Sequence, residues 1–92
     1  MIVRIMGEGQ VRLEDSRLTE LDKLDDDLLA EVEGGDEAGF RRTLTALLDA
    51  VRTLGEPLPA DSLEPSDLIL PSSEATVEEV REMLADDGLL PG

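Results

Sequence analysis

Ile2-Val3-Arg4-Ile5-Met6, then Gly7-Glu8-Gly9, then Gln10-Val11-Arg12-Leu13 opens the chain. Two short runs rich in β-branched and apolar residues, separated by glycines, predict a β-hairpin. Side chains alternate between the faces of a strand, so Val3 and Ile5 share one face with Val11 and Leu13, while Arg4 and Arg12 point to the other. The Gly-x-Gly reads as turn chemistry, because it lacks the further glycine and the strand-to-helix context of a phosphate loop.

Helices follow the hairpin. From Leu18 to Val32 the apolar positions Leu18, Leu21, Leu24, Leu28 and Val32 recur at steps of three and four, the spacing of one helical face. Gly34-Gly35 ends this helix. Asp25 falls inside its apolar arc, so either the helix is continuous with Asp25 over an exposed end, or it breaks and Asp25 caps a second segment starting at Asp26. The expectation is a break. Asp36 opens the next helix, whose stripe is Phe40, Leu44, Leu47, Leu48, Val51 and Leu54, with Arg41, Arg42, Asp49 and Arg52 opposite; Gly55 stops it. Phe40 reads as core rather than as a ligand-stacking ring. The short connection makes the pair an antiparallel αα-hairpin.

Glu56-Pro57-Leu58-Pro59 reads as a stiff extended connector, and Leu68-Ile69-Leu70, closed by Pro71, as a short third strand beside the hairpin. Thr76-Val77-Glu78-Glu79 is a capping box opening a third helix, with Val77, Val80 and Leu84 inward and Gly88 at its end. Leu89-Leu90-Pro91-Gly92 must cover something apolar or remain exposed. The predicted fold is α+β: an N-terminal β-hairpin plus a short third strand, packed against a helical hairpin and a C-terminal helix. Its length predicts a single domain over 1–92.

Composition narrows function. The chain has no Cys and no His, so thiolate nucleophiles, imidazole bases and the usual zinc and haem sites are excluded. It has no Trp, no Tyr and one Phe, which removes the platforms on which bases or sugars stack. Asp25-Asp26-Asp27 does not fit a calcium loop, since the third position from Asp22 is Leu24 and the sixth from Asp25 is Ala30. Ser62, Ser66, Ser72 and Ser73 lack a histidine, and the one Lys, Lys23, sits in an acidic helix. The expectation is a protein that is not an enzyme and uses no cofactor, metal or small-molecule substrate. A metal-dependent hydrolase would instead show convergent carboxylates in a concave pocket.

The net charge is −15, with 8 Lys+Arg against 23 Asp+Glu. Residues 14–37 carry −9 of it and residues 74–87 carry −5. Such a surface repels nucleic acid and anionic lipid, so neither direct nucleic-acid binding nor direct membrane insertion is expected, and a partner surface should be neutral or basic. With no signal-peptide run and no stretch of spanning length, the expected location is cytoplasmic.

Three separated motifs carry a family resemblance: Met1-Ile2-Val3-Arg4-Ile5-Met6-Gly7-Glu8-Gly9-Gln10, Pro65-Ser66-Asp67-Leu68-Ile69-Leu70-Pro71, and Gly88-Leu89-Leu90-Pro91-Gly92. Together they resemble PspAA, the small PspA-associated proteins of the phage-shock membrane-stress systems, over the whole chain. The resemblance implies an adaptor that binds PspA, a coiled-coil, membrane-remodelling protein, in envelope-stress signalling or maintenance, and that reaches the inner face of the membrane through that partner. The alternative is an acidic nucleic-acid mimic that fills the basic groove of a DNA-binding protein. Partner contact is expected at Leu68, Ile69 and Leu70, an edge whose backbone is free to pair, and at Leu89, Leu90 and Pro91, apolar at a terminus, with acidic helix surface as the rim.

Overall fold

The computed structural model describes residues 1–59, 61 and 64–84. Strands β1 (Ile2–Ile5) and β2 (Gly9–Arg12) are followed by a 3-10 turn, helices α1 (Leu18–Gly34) and α2 (Glu37–Leu54), strands β3 (Glu56–Pro57) and β4 (Leu68–Leu70), and helix α3 (Val77–Met83). The architecture is α+β. The sheet runs β3-β2-β1-β4, with β1 antiparallel to β2, β2 antiparallel to β3, and β4 parallel to β1. Val3 lies opposite Val11, and both are buried with Ile5 and Leu13, while Arg4 and Arg12 are exposed on the outer face. Gly7 takes φ 85° in the hairpin turn, a conformation glycine adopts without strain.

Both helices of the hairpin bury one stripe against the inner face of the sheet. That of α2 is Phe40, Leu44, Leu47, Leu48 and Val51. That of α1 is Leu21, Asp25, Leu28 and Val32, so the expected break at Asp25 does not occur: α1 is continuous and Asp25 is only 3% exposed. No Gly or Pro interrupts Leu24–Leu29, and Asp costs a helix interior only about 0.7 kcal/mol or less. A break would also have turned Leu28 and Val32 out of the core. Gly35 ends α1 in the left-handed conformation, and the Asp36 side chain accepts from Gly39 N at the start of α2.

Two other expectations are corrected, and one holds. Gly55 ends α2, in extended conformation. It is glycine because a Cβ would overlap Val11 Cγ1 and lie 3.0 Å from the Arg12 and Val51 carbonyl oxygens. The Glu56-Pro57 connector is a fourth strand, and Leu58 N continues its pairing by donating to Gln10 O at 2.9 Å. Finally, α3 stops at Met83 with Leu84 extended, short of the expected Gly88. Asp86 and Asp87 would sit at the negative end of the helix dipole if it continued. Gly88, Leu89, Leu90 and Pro91 lie outside the described residues.

β3 and β4 occupy opposite edges. Ahead of β4, residues 64–66 lie over the outer face: Gln10 Nε2 donates to Glu64 O (2.7 Å) and Ser66 Oγ (2.9 Å), and Arg12 pairs with the Glu64 carboxylate at 3.0 Å. The helices cover the other face.

Candidate partner-binding edge

β4 is an edge strand, and its beginning and end are fixed by hydrogen bonds to β1. Asp67 N donates to Ile2 O (2.7 Å) while its Oδ2 accepts from Ile2 N (2.8 Å), and Met6 N donates to Leu70 O (3.0 Å). In a parallel ladder alternate residues turn their N–H and C=O toward the neighbouring strand. Leu70 turns toward β1, so Ile69 turns its backbone groups to the open edge.

The three expected contact residues of this strand divide accordingly. Leu70 is fully buried, Leu68 is half-buried against the core, and Ile69 is 49% exposed beside Arg4. Of the three, Ile69 is the one that presents both side chain and backbone outward. Leu89, Leu90 and Pro91 cannot be placed with it, being outside the described residues.

The segment after β4 is held by polar contacts to the helical hairpin. Arg41 Nη1 donates to Ser73 O (3.1 Å), with its guanidinium 5.3 Å from the Phe40 ring, and Arg81 Nη2 donates to Val32 O (3.1 Å) in the last turn of α1. A cation is favourable at that negative helix end, where α1 has no base of its own. The capping box is present as read from the sequence: Thr76 Oγ1 accepts from Glu79 N and Glu79 Oε1 accepts from Thr76 N, both at 3.2 Å. Ala75 and Val80 are thereby sunk into the core.

Between the hairpin turn and α3 lies a groove of about 340 Å³ lined by Met6, Gly7, Pro71, Ser72, Glu74, Ala75, Glu79 and Met83. A second groove, of about 430 Å³, opens beside Gly9 toward the β3 side of the sheet and includes Arg4, Glu8, Gln10, Arg52 and Pro57. There the Arg52 guanidinium is fully engaged: Nε and Nη2 donate to the two Glu8 oxygens and Nη1 donates to Asp49 Oδ1 (2.6 Å). The hydrogen bond from Arg52 holds the Glu8 carboxyl below the usual carboxylate range and pushes Arg52 further up. Among the described residues no three carboxylates gather to hold a metal ion, and no helix is long and apolar enough to cross a membrane.

Sequence reasoning missed Met6 and Met83 as surface residues and Gln10 as the anchor of the segment ahead of β4. The signal for Gln10 was its place at the centre of an otherwise short strand, opposite Arg4. For the methionines it was their place at the ends of elements, where a large apolar side chain has few neighbours to cover it.

The family model described as PspA-Associated protein, PspAA, matches residues 1–92, the whole chain. No curated protein and no solved structure matches it.

Proposed function

The chain belongs to the PspAA family, and from that premise we propose that it is a non-enzymatic adaptor that binds PspA in the phage-shock response. Family membership over the full chain carries this reading. The edge of β4 supports it, since an uncharged strand that pairs on only one side among the described residues and carries an exposed Ile69 is suited to pairing with an extended segment of another protein. The acidic surface suits recruitment to membranes through PspA rather than by direct contact with anionic lipid.

The test is co-purification of PspA with the affinity-tagged chain from membrane-stressed cells. PspA should be retained by the wild type and lost with Ile69→Lys, which leaves the buried face of β4 intact. At the other expected contact, Leu90→Asp should abolish PspA binding with thermal unfolding nearly unchanged. Failure of the wild type to retain PspA under stress would overturn the adaptor reading.

A further inference from the structure

We propose that the groove between the β1–β2 turn and α3 seats a segment of PspA whose large apolar side chains are flanked by lysine or arginine. This rests on PspA being the partner. Among the described residues three large hydrophobic side chains are exposed: Met6 at 47%, Ile69 at 49% and Met83 at 37%. Two of them, Met6 and Met83, line the same groove, while Ile69 lies on the adjoining strand β4, outside that lining. Scattered single hydrophobics on a surface need no explanation, whereas a cluster around a concavity marks a contact surface.

The floor and rim specify the occupant. Pro71 and Ala75 are buried and give the groove an apolar base, while the two methionines are unbranched, polarisable side chains that adapt to whatever apolar group enters. Glu74 and Glu79 line the rim, with Glu78 and Glu82 beside them on α3, and no cation lines the groove. The nearby Arg41 and Arg81 are committed to the Ser73 and Val32 carbonyls. An acidic rim around an apolar floor repels anionic lipid and nucleic acid and attracts a basic segment with apolar anchors. The groove beside Gly9 lacks this combination, because two arginines, Arg4 and Arg52, line it with a single carboxylate, Glu8, that Arg52 already holds.

Isothermal titration of the full chain with full-length PspA tests the proposal. The double variant Met6→Asp/Met83→Asp should weaken binding about 30-fold or more, as loss of central apolar anchors does. Met6→Leu/Met83→Leu should bind as the wild type does, and Glu74→Lys should weaken binding by reversing a rim charge. The melting temperature should be unchanged in all three. Near-wild-type affinity of the Asp double variant would overturn the groove while leaving the adaptor reading intact. No binding by the wild type would overturn both. Loss of binding together with a sharp fall in melting temperature would show that the methionines cover the chain's own residues, and would also overturn the proposal.

Discussion

The two edges of the sheet are finished differently. On one side β3 is Glu56-Pro57, followed by Leu58 and Pro59. A charge and two prolines without N–H groups discourage any further strand from adding there. That side is also latched, by Gly55 packed on Val11 and by Arg52 clamped between Glu8 and Asp49. On the other side β4 is Leu68-Ile69-Leu70, with neither charge nor proline inside it though Asp67 precedes and Pro71 follows, and the exposed methionines line the groove that includes Pro71. Among the described residues the chain therefore closes one edge with four residues and pairs no further strand with the other, which is apolar.

The comparison breaks first if burial does not divide the molecule as described. Phe40 packs in the core shared by both sides, and Phe40→Ala should cost about 3–5 kcal/mol, much of the stability of a domain this size. Within β4 itself Leu70→Ala should cost about 2–5 kcal/mol, whereas Ile69→Ala should stay within about 0.5 kcal/mol. Chemical denaturation of the three variants gives the values. Equal losses at positions 69 and 70 would mean that β4 is covered, and the contrast between the edges would go with it.

On the closed side, Gly55→Ala should cost about 1–3 kcal/mol, because the added methyl meets Val11 and two backbone carbonyls that cannot all retreat. A neutral result would show that the seam between α2 and β2 is loose. On the open side, Thr76→Ala removes one half of the capping box and should cost about 1 kcal/mol, read from the thermal midpoint. The same variant should also weaken PspA binding, since α3 carries one wall of the groove; unchanged affinity would detach α3 from the contact surface.

Periodicity made most of this fold legible. The hairpin register, the stripe of α2 and the capping box each follow from residues within a few positions of one another. What stayed hidden depends on distant parts of the chain. Asp25 reads as a helix breaker until Leu28 and Val32 are seen to need the same face buried. Glu56-Pro57 reads as a connector because its partner, Val11-Arg12, is more than forty residues away in sequence. Gly55 announces a helix end correctly, yet its cause is a close approach by Val11 that no local pattern encodes. At the candidate site, Leu68-Ile69-Leu70 could be recognised as a strand, but which of the three faces out is set by its pairing with β1. Met6 and Met83 are brought to one groove only by the fold.

The smallest expected effect concerns the latch on the closed side. Glu8 and Arg52 are both more than a third exposed, so water screens their attraction and the pair contributes at most about 1 kcal/mol. The hydrogen bond from Arg52 lowers the Glu8 pKa in the folded state, against the opposing effect of partial burial. A carboxyl with a depressed folded pKa stabilises the protein above its unfolded value, about 4.3 for Glu, and that contribution is lost as pH falls through the folded value. Arg52 is raised by the same bond and stays charged throughout this range. Glu8→Gln should therefore lower the denaturation midpoint slightly at pH 7, and the gap from wild type should close as the pH drops below the folded pKa of Glu8. PspA affinity should not change, because the latch lies on the edge opposite the proposed contact surface. A gap that persists unchanged into strong acid would show that the carboxylate charge is not its source, and a loss of PspA binding would erase the distinction between the two edges.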